Sequence, residues 1–222
     1  FTHALRTLEK RHADGSPFFA HIMTTSNHRP YTYPAGRIDI PSPGGRDGAV
    51  KYTDYAIGQF LDKARSQSWF KDTLFIITAD HCASVAGKSK LPVAGYHIPL
   101  IFYAPGLIKP DTFDTPVSQI DLAPTIVELF GKKGDDHFFG RSFFEHGEPL
   151  KRVFISNYQS LGYLRNNVLT VLLPKAQVES YQVDPKTLAT TPAPIDQRLL
   201  DETIAYYQSA SRAFKVGALA NR

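Results

Sequence analysis

Two short runs, "LFIITA" (74–79) and "IPLIFYA" (98–104), are apolar or β-branched from end to end instead of alternating. A strand with one wet face alternates with period two, whereas an uninterrupted apolar strand is covered on both faces. The segments around the two runs have helical apolar spacing. "DGAVKYTDYAIGQFLDKARSQSWF" sets Val50, Ile57, Phe60, Leu61 and Ala64 along a stripe, with Asp47 as a plausible N-cap. "VSQIDLAPTIVELFG" (117–131) reads as a helix opened by Ser118 or Asp121 and ended by Gly131. The pattern predicts an α/β fold: a mostly parallel sheet sandwiched by helices.

The remaining segments fit around that sheet. Residues 1–12 read as a helix end with Ala4, Leu5 and Leu8 on one side. Phe18 to Met23 read as a short buried strand, Thr24 to Tyr33 as a polar loop at its carboxyl end, and 34–48 as a Gly/Pro loop. The texture changes at Lys151. "KRVFISNY", "NNVLTVLLP" and "QVESYQVDP" predict a small antiparallel sheet, and "PIDQRLLDETIAYYQSASRAFK" predicts a closing amphipathic helix. The expected organisation is therefore 1–150 as the α/β part and 151–222 as a small sheet plus helix of the same globule.

At 222 residues and 42% hydrophobic, the chain buries a proper core. Its net charge of +4 is spread along the sequence, with no Lys/Arg block and no nucleic-acid motif. No nucleic-acid partner is expected, and a mildly basic surface suits an anionic ester better. Cys82 is the only cysteine, so no intrachain disulfide exists. No apolar run reaches the roughly 18 residues that span a bilayer. The chain opens on Phe1 and reads as cut from something longer.

Asp80 and His81 follow the most hydrophobic strand directly, and Ser26, Asn27 and His28 follow the predicted strand 18–23. In open α/β sheets, ligands bind outside the carboxyl ends of the strands. A carboxylate and a neutral imidazole at one such end can hold a divalent cation between them. The pair alone does not decide the matter, because Asp80 also reads as a loop cap and His81 as a surface residue.

The surroundings carry more. "FIITADHCASVAGK" (75–88), "GYHIPLIFYAPG" (95–106), "VSQIDLAPTIVELFG" (117–131) and "FFGRSFF" (138–144) occur in an order and spacing that resemble the sulfatase-like branch of the alkaline phosphatase superfamily. With "TTSNHRPY" (24–31), the set looks closest to the lipoteichoic acid synthase and phosphoglycerol transferase group. The resemblance covers about residues 16–145.

It implies metal ligation by Asp80 and His81, through Mn, Zn or Mg. It implies that His28 acts catalytically and contacts the substrate phosphate near the leaving oxygen, work an imidazole does near neutral pH. His97, Arg29 and Lys88 are weighed as substrate contacts, against a satisfied histidine and two solvated cations. Cys82 reads as a small core residue, and Asp121 and Thr125 as helix-start residues.

The family's nucleophile and a further acidic ligand lie ahead of the segment matched here. The resemblance thus makes this chain the C-terminal part of a catalytic domain, holding half of a metal site and working with the N-terminal part of the same protein. It implies phosphoglycerol transfer from a phospholipid-derived anionic ester through a covalent enzyme intermediate. The expected location is the periplasmic or extracellular face of a bacterial membrane, anchored by the full-length protein. Two other readings stand beside this one: a sulfatase or phosphodiesterase, and a non-catalytic domain that retains the fold.

Overall fold

The computed structural model describes residues 1–83, 91–131, 138–144 and 152–218. The chain divides into two compact units, one made of Phe1–Ile77 with Ile101–Pro110, the other of Thr78–Leu100 with Asp111–Arg222.

In the first unit, α1 (Thr2–Ala13) and α2 (Gly45–Ala64) enclose an aromatic core. Leu8, Phe60, Ala64, Trp69 and Phe70 are buried, with Phe1, Leu5, Phe18, Phe75 and Tyr103 packed against them. Phe75 sits at the centre, 5.3 Å from the Phe70 ring and 6.1 Å from that of Tyr103. The helix α2 starts at Gly45 with Gly44 at its N-cap, so Asp47 is not the cap. It stands instead in the first turn, where its charge meets the positive end of the helix dipole.

The strands β1 (Phe75–Thr78) and β2 (Leu100–Tyr103) pair in a two-stranded sheet. They are half-buried where the sequence predicts full burial, and Ile101 is 51% exposed. The sheet has two strands among the described residues, which leaves part of each apolar run uncovered. Residues 18–23 differ further: they form no strand, and Phe19 and Met23 are 85% and 75% exposed. A strand exists only through a partner's hydrogen bonds, and composition cannot supply the partner. Phe18 alone is anchored, edge-on to Trp69 at 5.5 Å.

The second unit is built on a five-stranded antiparallel meander: β3 (Arg152–Ser156), β4 (Leu161–Arg165), β5 (Val168–Leu173), β6 (Gln177–Val183) and β7 (Thr190–Pro192). Asn166 and Asn167 both have positive φ (51° and 61°), the two-residue hairpin geometry that Asn tolerates, and they set Arg165 opposite Val168. Both faces of the sheet are used. Ile155, Leu164, Leu169 and Val171 pack on one with Leu91 and Val93. The other face carries Phe154 and Tyr163 against Tyr206 of α4 (Gln197–Lys215). Asp196 caps α4, accepting from Arg198 N at 2.9 Å and Leu199 N at 3.2 Å. Glu202 of α4 accepts from Tyr163 and Arg165, and Tyr207 Oη donates to Gly162 O at 2.9 Å.

A 3-10 turn (Gln119–Asp121) leads into α3 (Leu122–Leu129). Ser118 and Asp121 form a capping box at its start, and Gly131, with φ +64°, follows its end in a conformation that disfavours other residues.

Candidate metal centre

Beyond Thr78 the chain leaves β1 through Ala79 into Asp80 and His81. Thr78 Oγ1 donates to Pro99 O at 3.0 Å, which closes the strand end. His81 N donates to Asp80 Oδ1 at 2.9 Å, and His81 Nε2 lies 3.5 Å from Asp80 Oδ2. His81 Nδ1 is 2.7 Å from Cys82 O. A carbonyl only accepts, so Nδ1 carries a proton, and a neutral ring in this position has its lone pair on Nε2. A carboxylate oxygen and an imidazole nitrogen therefore stand side by side on exposed side chains.

Two donors on a tetrahedral ion with bonds of about 2.0–2.1 Å are about 3.4 Å apart. The separation between Asp80 Oδ2 and His81 Nε2 is that of a chelating pair. Carboxylate plus imidazole suits zinc or manganese, with magnesium favouring oxygen alone. The donor set fits a divalent ion. Among the described residues, no group of three or more His, Cys, Asp or Glu side chains is placed to hold a metal.

Behind the pair lies Gln119. Its side-chain amide Nε2 donates to Ala79 O at 3.1 Å and Asp80 O at 2.8 Å. The turn that presents it is fixed by Asp121, which accepts from Ser118 N (3.0 Å), Arg141 N (2.9 Å) and both Arg152 terminal nitrogens (3.1–3.2 Å). Ser118 Oγ in turn accepts from Phe154 N of β3 at 2.8 Å. Gly140 packs so close to the Ile120 carbonyl that any Cβ there would overlap it. Thr125 accepts from Phe143 N at 3.0 Å. Asp121 and Thr125 thus do more than start a helix: they staple the "FGRSFF" segment and β3 to α3.

His28 and Arg29 belong to the first unit, and Asp80, His81 and His97 to the second. His28 is exposed, in a turn closed by its N–H to Thr25 O at 3.0 Å and by Tyr31 N to its own carbonyl at 2.9 Å. Its Nδ1 meets Arg29 O at 2.9 Å, which by the same reasoning leaves Nε2 free to take or give a proton. Two contacts fasten this loop to α2: Thr53 Oγ1 donates to Asn27 Oδ1 at 2.9 Å, and Arg46 donates to Tyr31 Oη at 2.9 Å. Arg29 is exposed beside His28.

His97 is exposed after the 3-10 turn Val93–Tyr96 and is not the buried, satisfied histidine weighed from sequence. Lys88 lies outside the described residues. Cys82 is a free, partly buried thiol; burial first, and Cys82 second, raises the neighbouring Tyr96 hydroxyl above its ordinary range. Sequence reasoning missed Gln119, the contact of Asn27 with Thr53 and the partner of Asp121. A glutamine beside a helix start has no distinctive spacing, and the Asp121–Arg152 contact spans 31 residues.

The fold is that of the alkaline phosphatase superfamily. A solved member from Vibrio parahaemolyticus superposes on all of this chain with a TM-score of 0.93 and 32% identity, and the match covers 55% of that protein. The sulfatase family profile matches residues 1–132, and the chain belongs to the sulfatase family.

Curated relatives include lipoteichoic acid synthase 2 of Bacillus subtilis, 25% identical over 57% of this chain and 22% of its own length. Phosphoglycerol transferase I of Salmonella paratyphi B is 24% identical over 80% of this chain and 22% of its own length. A sulfatase of Formosa agariphila is 30% identical over 37% of this chain and 17% of its own length. The chain spans about a fifth of the length of these relatives.

Proposed function

We propose that this chain carries one side of the divalent-metal site of a sulfatase-family enzyme and binds the anionic ester on which it acts. The intact enzyme transfers phosphoglycerol from a phospholipid-derived donor to a cell-envelope polymer, through a covalent intermediate on a nucleophile contributed from outside these residues. The observation that carries this reading is the Asp80–His81 pair, with Oδ2 and Nε2 3.5 Å apart and Nδ1 turned away to Cys82 O. The names of the relatives support the choice of transfer and of an envelope polymer.

The metal, when bound, supplies Lewis acidity to the ester and lowers the pKa of the attacking hydroxyl. Asp80 and His81 hold it. His28, with Nδ1 pinned by Arg29 O, protonates the leaving oxygen from Nε2 and takes the proton of the acceptor hydroxyl in the second step. Arg29 and Lys88 contribute positive charge, and His97 a ring nitrogen, to the ester oxygens. The working site lies on the periplasmic or extracellular face of the membrane, with anchoring outside this chain. Among the described residues no helix is long and apolar enough to cross a bilayer.

Calorimetric titration of the full-length protein with Mn²⁺ and Zn²⁺ tests the reading, with and without Asp80→Asn. Clearly weaker binding by the variant supports it, and equal binding by both proteins removes it.

The similarity to a relative named as a sulfatase favours a second reading, hydrolysis of a sulfate ester. Parallel assays on a phosphoglycerol-bearing lipid and an aryl sulfate separate the two. Neither assay giving turnover, together with no metal binding, leaves a non-catalytic domain.

A further inference from the structure

We propose that Gln119 is a positioning residue for the Asp80–His81 pair, which it holds by its main chain. The inference rests on the metal reading above. β1 ends at Thr78, so the carbonyls of Ala79 and Asp80 lie beyond its strand pairing. Gln119 Nε2 donates to both, at 3.1 Å and 2.8 Å, and so one side-chain amide fixes two consecutive peptide groups at the point where the chain turns into its metal donors. Rotation of either peptide would swing Asp80 and His81 and change the separation of Oδ2 and Nε2.

The clasp is useful only if the turn that carries Gln119 is held in place, and its neighbours hold it. It occupies the first position of the 3-10 turn between Ser118 and Asp121, whose capping box locks the local backbone. Asp121 is tied to the fully buried Arg152 guanidinium of β3, and Ser118 Oγ to the backbone of Phe154. A rigid line therefore runs from the antiparallel sheet through the ion pair and the turn to the carbonyls behind the metal donors. Groups that orient metal ligands typically change affinity by about 10- to 100-fold when removed.

The test is a double-mutant cycle on Mn²⁺ affinity in the full-length protein, using Gln119→Ala, Asp80→Asn and the double variant, with thermal unfolding alongside. The expected result is a loss of affinity of about 10-fold or more for Gln119→Ala, with a melting temperature close to that of the parent. In the Asp80→Asn background, Gln119→Ala should produce no further loss. Gln119→Glu, which keeps the shape but turns an acceptor oxygen toward the carbonyls, should match Gln119→Ala. Unchanged affinity in Gln119→Ala, with affinity lost in Asp80→Asn, overturns the inference and leaves the metal reading standing. An equal loss in both backgrounds also overturns it, because general loosening acts without Asp80. If Asp80→Asn binds like the parent, the metal reading fails and the inference falls with it.

Discussion

Asp121 and Arg152 form a two-pronged ion pair almost fully withdrawn from water, with the carboxylate 3% and the guanidinium 0% exposed. A buried pair of this kind is no bargain against hydrophobic residues of the same shape, but losing one partner strands a charge. Asp121→Ala or Arg152→Met should each lower unfolding free energy by about 3–5 kcal/mol, read by urea titration. The Asp121→Leu/Arg152→Met double variant should recover part of that loss. Full recovery is not expected, because Ser118 N and Arg141 N lose their acceptor as well. A single variant within about 0.5 kcal/mol of the parent, the range of ordinary surface substitutions, contradicts this picture.

In the proposed function His28 moves protons and does not hold metal. His28→Ala in the full-length protein should reduce turnover by about 10²- to 10⁴-fold while the metal content of the purified protein stays the same. Thr53→Val removes the donor to Asn27 Oδ1 and should give a smaller loss of turnover, with His28 still present. Loss of metal from His28→Ala counts against the assigned role.

Alkaline pH should weaken the sheet–helix layer. Burial pushes the Tyr207 and Tyr163 hydroxyls up to about 12, with Glu202 adding to the effect on Tyr163. An unfolded tyrosine ionises near 10. Between those values the folded protein keeps protons that the unfolded chain has lost, so stability declines as pH rises from about 10 toward 12. The fall in melting temperature from pH 9 to pH 11 should be smaller in Tyr207→Phe than in the parent. An identical fall contradicts the assignment.

Asp196 caps α4 by accepting from two backbone N–H groups. Asp196→Ala should cost about 1 kcal/mol by chemical denaturation, and Asp196→Ser should restore most of it.

Much of the frame was legible in the residues because it depends on local periodicity. The runs at 74–79 and 98–104 contain β1 and β2, and the stripe before Lys215 is α4. What failed was non-local. Phe18 to Met23 has the composition of a strand but no pairing partner among the described residues. The strand β4 was hidden because Gly162 interrupts its pattern, and Asn166–Asn167 looked like the start of the next strand when it is a hairpin turn.

At the proposed site, Asp80 and His81 stand out in the sequence by position, directly after the apolar run 74–79. Their spacing, the tautomer and the Gln119 clasp depend on backbone carbonyls that no sequence motif encodes.

Anomalous diffraction from zinc-loaded crystals of the full-length protein tests the central claim most directly. The account predicts a zinc peak about 2.0–2.2 Å from both Asp80 Oδ2 and His81 Nε2, with His81 Nδ1 still on Cys82 O. A peak bound through Nδ1, or one that leaves these two residues unligated, contradicts it.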